Sequence, residues 1–295
     1  MTSSPVQLTA EELSIPVFSP EKAKDEDFLV ALESIAPDLC ITAAYGNYLP
    51  KRFLAIPKCG TVNIHPSLLP KYRGAAPVQR CLEAGDGISG VSLLFSVSKM
   101  DAGPIIRQHE CALSGQEKAP EFLVDMFSVG ANILLEALPS IFSGEVKNQV
   151  IVQDESQATS ADKLSPDDAR TDFSTSSALQ VHNKARGLAG WPGLWSTFTL
   201  TVDGEIESEP QRIKIITTTV LKDVESSTTT NVSVVKDGKR DLLQVVCGDG
   251  SVLGIVEVQP PGKKIMPVRD FVNGLRGASI RWTVPPLPLT PLTQL

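Results

Sequence analysis

Apolar positions in the first half of the chain fall into short runs separated by stretches of helical period. Residues 15–18, 39–43, 61–64, 91–95 and 111–113 are brief apolar runs that predict buried strands. Between them, residues 21–35 place Phe28, Leu32 and Ile35 at helical spacing and stop before Pro37. Residues 121–138 do the same with Phe122, Met126, Val129, Ile133 and Leu134. This strand and helix alternation predicts an α/β unit built on a parallel sheet.

Residues 143–172 turn polar and lose any sustained period, which predicts an interdomain linker. After one helix over 176–188, the pattern changes to β-rich segments at 195–202, 212–220, 242–247 and 252–258. Their connections carry Asp203-Gly204, Asp237-Gly238 and Asp249-Gly250, and Asp-Gly is a strong hairpin signal. The second half therefore reads as a small antiparallel barrel or sheet, and the Pro-rich stretch 285–291 as an extended terminus. The expected division is a catalytic α/β unit over 1–146, a linker over 147–172 and a β-rich unit over 173–295.

Composition narrows the class. With 42% hydrophobic and 21% charged residues, the chain is not disordered throughout. The apolar run at 134–141 is short and broken by Glu136 and Pro139, so a soluble protein with no membrane association is expected. Five cysteines without a Cys-x-x-Cys pair or a neighbouring His give no zinc spacing, and no metal is expected. Residues 1–10 have neither a secretory apolar core nor the arginines of a transit peptide. The net charge of −7 is uneven along the chain. Residues 1–169 hold 13 Lys and Arg against 22 Asp and Glu, and residues 170–295 hold 14 against 12, so a polyanion should prefer the second half.

Candidate chemistry sits beyond two predicted strands. Asn63 and His65 alternate to one side of the strand 61–64, and Pro66 and Pro70 stiffen the loop after it. Asp101 follows the strand 91–95 in Met100-Asp-Ala-Gly-Pro104. An Asp reaching an imidazole can hold its tautomer and stabilise its protonated form, and an Asn amide can donate to an oxyanion. Either motif alone is ordinary turn chemistry. Trp191 and Trp195 read as core aromatics, and His109 and His182 as structural.

The string Asn63-Ile-His-Pro-Ser-Leu-Leu-Pro-Lys-Tyr-Arg-Gly-Ala-Ala-Pro-Val-Gln79, then Gly85-Asp86 and Met100-Asp-Ala-Gly-Pro104, resembles the signature of the 10-formyltetrahydrofolate-dependent formyltransferases. Its Arg-Gly-Ala-Ala-Pro form is most similar to the methionyl-tRNA branch. The linker and second half resemble that branch too, at Val152-Gln-Asp-Glu-Ser, 163–170, Trp191-Pro192 and 259–264. The resemblance implies a Rossmann-like formyltransferase domain followed by a small, OB-like β-barrel. It implies catalytic roles for Asn63, His65 and Asp101, and a folate site formed by Ser67, Leu68, Leu69 and Pro70 together with Ala44, Tyr45 and Gly46. It also implies 10-formyltetrahydrofolate as cosubstrate and methionyl-initiator tRNA as partner, with Lys184, Arg186, Lys263 and Lys264 as candidate phosphate contacts.

The strand and Gly-Thr-Pro turn with which the family begins have no counterpart here, so the chain looks N-terminally truncated, with its first strands missing. Two other readings stay open at this stage. One is formyl transfer to a small amine or to water, and the other is a non-catalytic remnant that binds folate or tRNA. A monomer is expected, in a mitochondrion or other organelle, or in a bacterial-type cytoplasm.

Overall fold

A computed structural model describes residues 4–202, 205–206, 208–222, 232–237 and 240–284. The first unit runs α1 (Pro5–Glu12), α2 (Glu26–Ile35), β1 (Cys40–Ala43), α3 (Lys51–Ala55), β2 (Thr61–His65), β3 (Arg73–Gly74), α4 (Pro77–Ala84), β4 (Ile88–Phe95), β5 (Ile105–Ala112) and α5 (Ala119–Ser143). The main sheet has the order β1-β2-β4-β5. β1 and β2 are parallel, but β2–β4 and β4–β5 are antiparallel. The sheet is therefore mixed, where the alternation predicts a parallel one. Periodicity marks a strand without fixing its direction, and the loop 96–104 between β4 and β5 is too short for the dozen or so residues a parallel crossover needs.

Residues 15–18 form no strand. They run extended beside α2, with Ile15 53% and Phe18 48% exposed and the Phe18 ring 6.3 Å from Phe28. An apolar run becomes a strand only where another strand offers its edge, and among the described residues none pairs with 15–18.

α5 covers one face of the sheet. By length and composition it could cross a membrane, but Phe122, Met126, Ile133, Leu134, Ala137 and Ile141 are buried in the core around Val62, Ile64, Val91 and Leu93. Gly130 sits where Ile64 of β2 and Val91 of β4 press against the helix. Burying side chains of this size contributes about 1.5–3 kcal/mol each, which locks β2 in place at the centre of the unit.

The second unit follows β6 (Ser160–Ala161) with α6 (Ala178–Gly187), β7 (Leu194–Val202), β8 (Glu205–Ile206), β9 (Gln211–Leu221), β10 (Ser233–Asp237), β11 (Arg240–Val246), β12 (Val252–Gln259), β13 (Met266–Pro267), α7 (Val268–Asn273) and β14 (Ser279–Thr283). Its strands form a curled antiparallel half-barrel of order β10-β11-β12-β9-β7-β14, with β8 and β13 paired at its sides. Phe173, fully buried, packs edge-on against Trp282 at 5.5 Å within that core. The Asp249-Gly250 turn joins β11 to β12, with Gly250 at φ 83° and Ser251 donating to the Asp249 carboxylate. Asp203-Gly204, Gly238 and the stretch 285–291 lie outside the described residues.

The two units dock through α4 and α6. His182 bridges Thr218 Oγ1 and the Gly115 carbonyl, each at 2.9 Å, which fits the structural role expected for it. Arg186 is buried, bonds Asn183 at 3.1 Å and lies 3.5 Å from Glu117. The linker is no free tether, because β6 pairs in parallel with β3 and residues 151–161 run along the first unit.

Candidate active site

β2 places its odd and even residues on opposite faces. Ile64 packs toward α5, while Asn63 and His65 turn to the other side of the strand. The loop 96–104 folds back over β2 and carries Asp101 to them. That fold requires a glycine at 103, since a Cβ there would collide with the Phe95 carbonyl oxygen. Asp101 adopts φ 48°, a left-handed conformation uncommon for a residue with a side chain.

The three residues meet. Asn63 Nδ2 donates to Asp101 Oδ1 at 3.3 Å, and His65 Nδ1 lies 3.6 Å from Asp101 Oδ2. Thr42 Oγ1 donates to Asn63 Oδ1 at 2.8 Å, which turns the amide nitrogen toward Asp101. The Gly74 N–H donates to Asp101 Oδ2 at 2.9 Å. His65 Nε2 lies 2.8 Å from the Tyr72 carbonyl oxygen, which can only accept, so Nε2 carries a proton and Nδ1 is the nitrogen left to exchange one. The tautomer is thus set by Tyr72, a backbone group, where the sequence suggested Asp101.

These groups open on a cavity of about 320 Å³ lined by Thr42, Ala44, Tyr45, Gly46, Asn63, His65 and Asp101, and also by Leu123 and Phe127 of α5. Tyr45, Tyr48 and Val97 add apolar walls suited to a flat heterocycle. Of the expected folate wall, Ala44, Tyr45 and Gly46 line this cavity. Ser67, Leu68, Leu69 and Pro70 do not; Ser67 and Leu69 brace the loop that follows β2. Ser67 donates to the Lys71 carbonyl, Leu69 N–H donates to Ser92 Oγ, and Leu69 packs with Leu94 and Ile105. Among the described residues, no group of three His, Cys, Asp or Glu could hold a metal ion.

The expected phosphate contacts divide. Lys263 and Lys264 are exposed between β12 and β13. Lys184 donates to the Arg170 carbonyl at 2.8 Å and its pKa is lowered by burial, and Arg186 is only 4% exposed. Arg186 belongs to the packing of α6 against the first unit, and Lys184 is half-buried and held on the Arg170 carbonyl. Trp191 is 57% exposed instead of core, and the Arg212 guanidinium lies 3.8 Å above the Trp195 ring.

Several residues that build the site carry no sequence signal of their own. Thr42, the Tyr72 carbonyl and the Gly74 N–H are among them, as is Gln153, which donates to the carbonyls of Asp101 and Gly103. Gln153 lies inside the landmark Val152-Gln-Asp-Glu-Ser, which marked the segment but not its role.

A mixed α/β sheet carries a buried His and a half-buried Asn and Asp at one cavity and is followed by a half-barrel, and its relatives make this a formyl-transferring enzyme. The patterns of two domains match the chain, formyl transferase over residues 1–138 and the formyl transferase C-terminal domain over residues 163–276. The chain is 34% identical over 276 residues to the methionyl-tRNA formyltransferase of Staphylococcus epidermidis, covering 94% of this chain and 84% of that protein. It is 37% identical over 280 residues to the enzyme of that name from Acidobacterium capsulatum, covering 92% and 82%. The chain belongs to the methionyl-tRNA formyltransferase family. Solved structures share the fold at lower identity. HypX from Aquifex aeolicus, in complex with tetrahydrofolic acid, gives a TM-score of 0.58 at 18% identity over 91% of this chain, which spans 43% of HypX. An N-formyltransferase from Helicobacter canadensis, in complex with folinic acid and dTDP-3-aminofucose, gives 0.58 at 16% identity, covering 88% of this chain and 85% of that one.

Proposed function

We propose that the chain transfers the formyl group of 10-formyltetrahydrofolate to the α-amino group of methionyl-initiator tRNA, through Asn63, His65 and Asp101. The carrying observation is the convergence of these three side chains on one cavity whose apolar walls suit the folate ring. The amine lone pair forms the new N–C bond, the bond from the formyl carbon to the folate nitrogen breaks, and one proton passes from the amine to that nitrogen.

Each residue has a defined part. The Asn63 amide, held by Thr42 and bonded to Asp101 only at 3.3 Å, can turn its N–H to the formyl oxygen as charge develops there. His65 holds one proton on Nε2 against Tyr72 and takes or gives the other at Nδ1, beside Asp101. The Asp101 carboxylate, held by Gly74, favours the protonated ring during the step.

Exposed Lys263 and Lys264 on the second unit supply phosphate contacts. The chain acts as a monomer and away from membranes, the second reading supported by α5 lying against the sheet. It acts where initiator tRNA is formylated, in an organelle or a bacterial-type cytoplasm. The test is His65→Ala and Asp101→Ala, each measured for formyl transfer and for folate binding. Loss of about 10²–10⁴ in turnover with retained folate binding is expected; near-normal turnover in either variant would remove these residues from the reaction.

A further inference from the structure

Asp101 is held from outside its own loop. Ile105 and Ile151 exchange two backbone hydrogen bonds of 2.8 Å, and Lys99 pairs with Glu155, so the loop 96–104 is laced to the segment that follows α5. At the centre of this lacing is Gln153, 7% exposed. Its Nε2 donates to the Asp101 carbonyl at 2.8 Å and to the Gly103 carbonyl at 2.7 Å. Its Oε1 accepts from Arg73 Nε at 3.0 Å and Nη2 at 2.7 Å. The partners force the orientation of this amide, because a guanidinium can only donate and a carbonyl can only accept.

Arg73 in turn precedes Gly74, whose N–H holds the Asp101 carboxylate. The Gln153–Arg73 pair therefore reaches Asp101 from both ends, its backbone carbonyl and its carboxylate. The Asp101 backbone is left-handed, a conformation that persists only where the surroundings over-determine it. Gln153 supplies two hydrogen bonds to the carbonyls of Asp101 and Gly103, which directly follow that conformation in the chain.

We propose that Gln153 is a positioning residue for formyl transfer. Its amide holds the Asp101 loop so that the carboxylate lies between Asn63 and His65, and the segment that leads to the second domain thereby completes the catalytic centre. This rests on the catalytic reading of Asp101 given above.

The test compares Gln153→Glu, which keeps the shape and the Arg73 contact but presents an acceptor to two carbonyls, with Gln153→Met, which is uncharged and of similar size. Both should lower kcat by about 10- to 100-fold, the cost of misplacing a reacting group by roughly 1 Å. KM for folate and for tRNA should stay within about threefold, since ground-state binding is untouched. Should the Glu variant fail to fold, the Met variant carries the measurement. Lys99→Ala, which removes an exposed tie, should change kcat by less than about twofold.

The decisive comparison is Gln153→Met in an Asp101→Asn background. If Gln153 acts through Asp101, it should cost nothing further there. A loss that multiplies with that of Asp101→Asn, or a rise in KM at unchanged kcat, would overturn the proposal. Wild-type turnover in Asp101→Asn alone would instead overturn the catalytic reading.

Discussion

Gly74→Ala tests how the linker, the loop after β2 and Asp101 depend on one another. Gly74 pairs with Ala161 across the short β3–β6 ladder, at φ +131°, and its N–H holds Asp101 Oδ2 at 2.9 Å. A Cβ at this position would stand 2.6 Å from the Ala161 carbonyl oxygen. Relieving that contact to an ordinary C···O separation of about 3.3 Å requires the strands to part by roughly 0.7 Å. The backbone conformation itself costs about 1–3 kcal/mol for a residue with a side chain, and the overpacking about 1–3 kcal/mol more. Urea unfolding should therefore show a loss of about 2–6 kcal/mol. Because the same shift pulls the N–H away from Asp101, kcat for formyl transfer should fall about 10- to 100-fold. A variant that is destabilised by this amount but keeps wild-type kcat would refute the link between the β3–β6 ladder and Asp101. Wild-type stability would refute the close approach itself.

Two further outcomes follow from the same structure. Burial opposes ionisation of Glu117, but hydrogen bonds from Ser114 and Gly115 outweigh it and hold its pKa at about 2, below the ordinary 4.5. A depressed carboxylate stabilises the fold above its unfolded pKa and loses that contribution as pH falls toward the folded value. Glu117→Gln should thus cost roughly 1–3 kcal/mol at pH 7, and the difference from wild type should vanish between about pH 4.5 and 2; a pH-independent difference in denaturant midpoints would contradict it. Replacing Lys263 and Lys264 together by Ala should weaken tRNA binding and reduce the salt slope of log Kd by about 2, while folate binding stays unchanged; an unaltered slope would remove them from the interface.

Much of this organisation is legible in the sequence, for identifiable reasons. β2, β4 and α5 emerge from apolar runs and helical spacing because each buries a face against the same core. The half-barrel emerges from its β-branched runs and the Asp249-Gly250 turn. β5 is longer than its apolar residues at 111–113 suggest, because Arg107, Gln108, His109 and Glu110 are exposed and its pairing rests on backbone bonds to β4. α2 starts at Glu26 and not at 21, since Lys22 N–H bonds the Asp25 carboxylate in a turn before the helix.

The site divides similarly. Asn63, His65 and Asp101 carry side-chain chemistry and spacing, and so can be read from the sequence. The Tyr72 carbonyl, the Gly74 N–H and the linker amide of Gln153 act through groups that every residue of their type possesses, so only the fold reveals them. Charge misleads in the opposite direction. Lys184 and Arg186 are basic residues of the more basic half, yet α6 turns Arg186 toward Glu117 of the first unit and Lys184 onto the Arg170 carbonyl of the linker.

The most direct measurement is single-turnover transfer of a labelled formyl group from 10-formyltetrahydrofolate, offered methionyl-initiator tRNA and, separately, an amino-sugar nucleotide and glycinamide ribonucleotide. The proposed function predicts rapid formylation of the methionyl α-amino group and none of the small amines. Formylation of a small amine with the tRNA left untouched, by a folded and folate-binding chain, would contradict it.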